Sequence, residues 1–358
     1  MISPDRTSRP RAPRLLARLL ARRPAPLAAL LTLAGLAGAL WGCEEWGCEG
    51  RRERAAATER AQEEERRPWV LVASSYPLYD LARELTRGAE GVEVHLATPP
   101  GEDPASWAPS DEALALYQRA DLVVLNGASF ESWEPLVSLP PSRTLHAARG
   151  FEGRWLRYEE QTTHTHGPGG AHSHEGVDGH TWLDPLLAAE QAAAIAEEVA
   201  RARPALAGAV RQNLARLKGA LEELSGEWAA LAPALRARRL LAAHPAYNYL
   251  KRRHALPLVS LDLNPDAPPS AEQRRAVEGL LSAPRGAEGA PEALGEALLW
   301  WESPPSAAAR EGLRGLPLRH VVVSPVESAP EEGGYLAAAR ANVQRVREAL
   351  TAAPEVTP

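Results

Sequence analysis

Cysteine is nearly missing from this chain: Cys43 and Cys48 are the only two in 358 residues, and both lie ahead of the first strand-like segment. No thiolate metal site can be built inside the body of the fold. The sequence has no H-E-x-x-H pattern and no nucleophile elbow, so the metal-hydrolase and nucleophilic-hydrolase classes lack their machinery, and the chain reads as a non-enzyme. It has no internal repeat. An excess of base is missing too: 40 Lys and Arg stand against 46 Asp and Glu, a formal charge of −6, which argues against a nucleic-acid partner.

The base that is present is unevenly placed. Residues 1–42 hold seven arginines and one acid, Asp5, and they end in the apolar run "PAPLAALLTLAGLAGALWGC". A basic segment followed by a short apolar one reads as a secretory signal, cleaved after residue 42. The run is just long enough to span a bilayer, so a retained anchor helix stays open as an alternative. Leu40-Trp41-Gly42-Cys43 resembles the lipobox of bacterial lipoproteins, which would put a lipid on Cys43 and tie the protein to a membrane. A Cys43–Cys48 disulfide is the competing reading in an oxidising compartment. Arg22-Arg23 raises a twin-arginine route, but its neighbours fit that signal poorly. Without residues 1–42 the chain carries 33 basic and 45 acidic residues, a net charge near −12. That suits an extracytoplasmic, periplasmic or cell-surface body that attracts cations. Residues 43–68 are charged and lack an apolar stripe, and read as a flexible tether.

Folded structure is expected from Trp69. "WVLVAS", "VEVHLA" and "DLVVLN" read as strands; "PLYDLARELT" and "APSDEALALYQRA" read as helices, with Ser110 capping the second. After a histidine-rich loop comes a helix from Pro185 to Ala202. Leu206, Val210, Leu214, Leu217, Leu221, Leu224, Trp228 and Leu231 then form one apolar stripe on a long helix, with Pro204 starting it and Pro233 stopping it. Strand and helix alternate again through "RRLLAAH", "LPLVSLDL", "EALLWWE" and "RHVVVSP", and a last helix runs from Tyr335 to about Leu350. Residues 264–291 look loop-like in part. The alternation predicts an α/β fold of two lobes with mostly parallel sheets, bridged by one long rigid helix. The boundaries are residues 69–203 for the first lobe, including the loop at 163–180, 204–232 for the linking helix and 233–358 for the second lobe.

Five of the ten histidines lie in "THTHGPGGAHSHEGVDGHTWLDP", residues 163–185. His164 and His166 form one His-x-His pair, His172 and His174 another, with glycine and proline between them. Residues i and i+2 of an extended chain face one way, so the segment folded on itself can gather four imidazoles around a zinc ion. A solvated low-complexity loop with weak metal affinity is the alternative. His180 stands just before a helix start, and His244 at the end of the strand "RRLLAAH". Ligands of open α/β sheets gather at such strand ends. His95, His146, His254 and His320 read as structural or surface residues, and the tryptophans Trp107, Trp133, Trp182, Trp300 and Trp301 as packing.

The stretches "PPGEDPASWAPSDEALALYQRADLVVLNGASFESW", "DGHTWLDP", "AAHPAYNYLKRRHAL", "LLWWESPPS" and "VVVSPVES" resemble, in order, the zinc- and manganese-binding solute-binding proteins of bacterial ABC importers, the ZnuA-like family. The resemblance runs from Trp69 to about Leu350. It implies two α/β lobes bridged by a helix, a metal cleft between them, a monomer, and delivery of the ion to an ABC permease. Of four usual cleft ligands, His180 and His244 carry over. The first histidine falls at Ala105 and the acidic ligand at Ser324, neither of which suits zinc. His172 and His174 are the expected replacements; Glu327, three residues past Ser324, Glu102 and Asp103 could also reach in, but read mainly as solvated acids. Glu302 falls where the family tends to carry an acid, read as an interlobe hydrogen bonder. Nitrogen-rich ligation favours Zn2+ over Mn2+, and binding should weaken in acid near the ordinary histidine pKa of about 6.5. A metal-buffering or sensing lipoprotein without a transport role is the second functional reading.

Overall fold

Each lobe is built on a short parallel sheet whose central strands are apolar on both faces. In the computed structural model the first runs from β1 (Trp69–Ala73) through α1 (Tyr76–Leu85), β2 (Val92–Leu96), α2 (Asp111–Arg119), β3 (Leu122–Leu125) and β4 (Thr144–His146). The strand order is β2-β1-β3-β4, all parallel. "LVVL" in β3 is buried throughout, as a strand covered on both sides requires. Ser110 caps α2, its hydroxyl accepting from the Ala113 amide at 3.3 Å.

A two-stranded antiparallel hairpin follows, β5 (Thr162–Thr165) and β6 (Ala171–His174), with His164 opposite His172 in the register. The chain then enters α3 (Pro185–Ala202). Asp184 sets that start: its carboxylate accepts the Leu186 amide at 3.0 Å, and Pro185 occupies a first-turn position that needs no N–H donor.

The long helix is α4 (Ala207–Arg236), about 45 Å at 1.5 Å per residue. Val210, Leu217, Leu221, Leu224, Trp228 and Leu231 of the expected stripe are buried in the core. Its ends differ from the sequence expectation. Pro204–Leu206 is a separate 3-10 turn, and Pro233 lies inside the helix. A proline so near the end removes one backbone donor, and only three more residues follow before the helix closes.

The second sheet comes from β7 (Leu240–Ala242), α5 (Asn248–His254), β8 (Leu258–Ser260), α6 (Ala271–Ser282), β9 (Ala297–Trp301), α7 (Ala307–Gly312), β10 (Leu318–Val322) and α8 (Tyr335–Thr351). Its order is β10-β9-β7-β8, again all parallel. The segment read as partly loop-like contains α6, started by a capping box in which Ser270 and Gln273 satisfy each other's backbone amides.

The described residues are 67–158, 162–165, 171–174, 176–283, 296–330 and 332–353, the hairpin strands by backbone alone. The signal and lipid-attachment expectations at residues 1–42, Cys43 and Cys48, nearly all of the tether, and His166 lie outside them. Among the described residues no helix is long and apolar enough to cross a membrane. One apolar core runs through both sheets: Leu71 of β1, Trp182, Trp228 of α4, Leu240 of β7 and Trp300 of β9 belong to it.

Candidate metal centre

The carboxyl ends of the strands deliver the chemistry. His244 follows β7, Glu302 follows β9, and residues 323–327 follow β10, three strands adjacent in the second sheet. His180 comes from the segment between hairpin and α3. Ligand atoms of His180, His244 and Glu327 lie within 4.8 Å of one another. His180 Nε2 is 2.9 Å from Glu327 Oε1, and the two imidazole centroids are 5.8 Å apart. Both histidines are buried, while Glu327 keeps a partly exposed edge.

Other residues hold these three side chains in place. Asp178, fully buried, accepts from His180 Nδ1 at 2.8 Å and from the His180 amide at 2.9 Å. The Tyr158 hydroxyl donates to the same oxygen at 3.0 Å, and the Asn248 amide donates to the other at 2.9 Å. With Nδ1 committed to Asp178, Nε2 points to the cluster, the arrangement that orients metal-ligating imidazoles. Glu302 lies 3.4 Å from His244 Nδ1. Burial opposes a charge on His180, but its hydrogen bonds to Asp178 and Glu327 outweigh that effect and raise its pKa to about 10.

The backbone around His180 is clamped from the first lobe. Asn126, after β3, donates to the Gly127 and Gly179 carbonyls, and its oxygen accepts from Thr181 Oγ1 and Gln191 Nε2. Buried Glu131 accepts from Ser74 Oγ and the amides of Asn126 and Gly127, joining the ends of β1 and β3. Gly179 has to be glycine, because a Cβ there would sit 2.6 Å from Phe130 Cβ. Trp182 anchors the next turn, donating to the Pro325 carbonyl at 2.8 Å.

Glu327 reaches the cluster through an unusual turn. Ser324 Oγ accepts the Val326 amide at 3.1 Å, and Asn342 holds the Ser324 backbone from both sides. Val326 has a φ of 61°, a conformation that β-branched residues rarely adopt. The turn swings the carboxylate of the third residue after Ser324 onto His180. A carboxylate thus reaches the cluster from 327 and not from 324, and Glu327, read mainly as a solvated acid, lies half-buried against His180. Ala105 lies partly buried against the core, its carbonyl accepting from the Ser132 amide and hydroxyl. Asp103 caps the turn before it, receiving the Ala105 amide and the Ser106 hydroxyl.

His164, His172 and His174 are placed by backbone only, on the hairpin whose base is bridged by Arg157 and Val177. Outside the cluster, His95 faces Glu93, His146 bonds Glu134 at 2.7 Å, His320 stacks on Trp301, and His254 is buried. Sequence reasoning missed Asp178, Asn126 and Glu131, although all three lie in the stretches that carried the resemblance.

Two parallel-sheet lobes with a His/His/Glu cluster beside the strand ends of the second are the architecture expected of a two-lobed solute-binding protein. Residues 71–349 match the model of the family described as zinc-uptake complex component A, periplasmic, and the chain belongs to that family. The zinc-binding lipoprotein AdcA of Streptococcus pneumoniae (strain ATCC BAA-255 / R6) is 28% identical over 206 residues, 56% of this chain and 40% of that protein. The high-affinity zinc uptake system protein ZnuA of Bacillus subtilis (strain 168) is 27% identical over 209 residues, 56% of this chain and 63% of that protein. The chain thus spans between two-fifths and just under two-thirds of these relatives. The crystal structure of Zn(II)-bound AdcA from Streptococcus pneumoniae superposes with a TM-score of 0.63 at 21% identity, over 81% of this chain and 60% of that one. The metal-dependent lipoprotein YcdH of Bacillus subtilis gives 0.62 at 20% identity, over 78% and 98%. At these identities the structures establish the shared fold.

Proposed function

We propose that this protein captures Zn2+ outside the cytoplasmic membrane and hands it to an ABC permease, held meanwhile by a lipid on Cys43. The ion sits between His180 Nε2, His244 and the Glu327 carboxylate. The carrying observation is the convergence of these three ligand atoms within 4.8 Å, with a buried or half-buried carboxylate beside each imidazole. Tetrahedral zinc with ligands near 2.1 Å puts its donors roughly 3.4 Å apart, so modest contraction forms the site. His172 and His174, the hairpin histidines nearest His180 in sequence, are the proposed source of a fourth donor, with His164 and His166 as a second pair. Two imidazoles and one carboxylate fit zinc better than manganese, which takes more oxygen. No covalent step is required of a carrier.

Calorimetric zinc titration of the full chain tests this. His180→Ala, His244→Ala and Glu327→Gln should each weaken binding by more than about 100-fold, beyond what loss of an orienting partner costs. Unchanged affinity in Glu327→Gln would remove that residue from the site. His172→Ala/His174→Ala should weaken binding if the hairpin completes the site; unchanged affinity would place the fourth donor elsewhere. The buffering or sensing alternative loses much of its motive, since a carboxylate is present at the cluster.

A further inference from the structure

A cavity of about 560 Å³ lies beside the cluster: Tyr158, which lines it, is also 3.2 Å from His180 Nδ1. Arg157, Lys251 and Arg252 line it, and among the described residues its lining contains no acid. In a chain with a net charge of −6, three cations around one hollow with no acid among its described lining residues stand out. Among the described residues Arg157 and Lys251 have no carboxylate partner. Arg252 is fixed in place: it donates to the Arg154 carbonyl at 2.8 Å, and its guanidinium lies 5.6 Å over the Tyr249 ring. The floor is polar and rigid, since Tyr158 and Asn248, which both line it, are held by the buried Asp178. Leu156, Leu258 and Val259 make an apolar wall, and Val259 is one of only two large apolar side chains strongly exposed among the described residues.

Each feature selects a property of the occupant. Cations without acids call for an anion, and the forked guanidinium groups match carboxylate or phosphate oxygens. A hollow of this volume is in the range that encloses small molecules, about 300–1,000 Å³, whereas a protein surface needs a broad, flatter face. The apolar wall calls for a carbon skeleton; inorganic phosphate would leave it wet. We propose that this cavity binds a small organic polycarboxylate, its carboxylates on Arg157, Lys251 and Arg252 and its carbon chain against Leu156, Leu258 and Val259.

The test uses the metal-free full chain and tricarballylate, a tricarboxylate that chelates zinc weakly, followed by calorimetry at low salt. Saturable binding is expected, with Arg157→Gln/Lys251→Gln weakening it at least about tenfold, the loss of a charge-assisted bond. Arg314→Gln, an exposed arginine already paired with Glu311, should leave it unchanged. Inorganic phosphate should bind at least about tenfold more weakly for want of the apolar contact. No saturation up to about 10 mM, a Kd of that order being barely binding, would overturn the proposal. So would equal affinity in the double variant, or phosphate binding as tightly as tricarballylate. Retained zinc binding by the double variant shows that it folds. Since the titration contains no zinc, its failure leaves the metal site unaffected.

Discussion

His180 stands between two carboxylates, so capture of a cation at the proposed site is a proton exchange. Its pKa, raised to about 10 by Asp178 and Glu327 against the opposing effect of burial, keeps the imidazole protonated throughout the neutral range before metal arrives. The sequence reading placed acid weakening near 6.5; the structure moves the competition to higher pH. Zinc affinity should fall about tenfold per pH unit as pH drops below about 9, with about one proton released per ion at pH 7. Calorimetry in buffers of different ionisation enthalpy counts that proton directly. Stability of the metal-free protein has its own sign. A raised histidine contributes stability that is complete below 6.5 and is lost as pH rises through about 10. Denaturation midpoints should decline over that window, and the decline should vanish in His180→Ala. Removing an orienting partner should cost less than removing a ligand: Asp178→Ala should reduce zinc affinity about 10- to 100-fold. His180 and His244 were legible because each stands at a recognisable boundary, a helix start and a strand end. Asp178, Asn126 and Glu131 were not, because their roles depend on partners such as Asn248, 70 residues from Asp178, that no local pattern connects.

At the scale of elements, the turn after β10 decides where the acid goes. The family resemblance placed the carboxylate position at Ser324, and nothing in "SPVES" announces a left-handed residue. The positive φ of Val326 redirects the chain and brings Glu327 inward. Such a conformation costs a β-branched residue on the order of 1–3 kcal/mol. Val326 also packs in the core, so glycine must be compared with alanine to separate strain from packing. Val326→Gly should be more stable than Val326→Ala by about 1 kcal/mol in urea unfolding; the reverse order would show an unstrained turn. Strands and long helices were readable from periodicity, which is local. The end of α4 was not, because a proline in a last turn removes one bond from a helix that the core already holds through Trp228 and Leu231. The start of α6 carried a readable S-x-x-Q signal that its Pro- and Gly-rich surroundings obscured.

At the scale of the whole molecule, the two sheets share one apolar core and several cross-sheet bonds. Tyr335 donates to the Trp182 carbonyl at 2.6 Å, Tyr249 to the Asp178 carbonyl at 2.9 Å, and the Tyr76 amide to the Glu327 carbonyl at 3.1 Å. Two lobes so joined should unfold as one. Differential scanning calorimetry should show a single transition, with equal calorimetric and van't Hoff enthalpies. Zinc at a hundredfold excess over its Kd should add about 2.7 kcal/mol and move the whole transition upward. Two separable transitions would mean that the lobes fold independently.

The donors are unequally shared between the lobes. In the proposed site the second supplies His244 and Glu327, from beyond the ends of β7 and β10 on either side of β9; the first supplies His180 on a backbone clamped by Asn126. An ion held as proposed would therefore leave in an order. With the His180 contact broken it would remain on His244 and Glu327, one face open to an acceptor, and an acceptor that displaces that imidazole first would begin unloading the ion without prising the lobes apart.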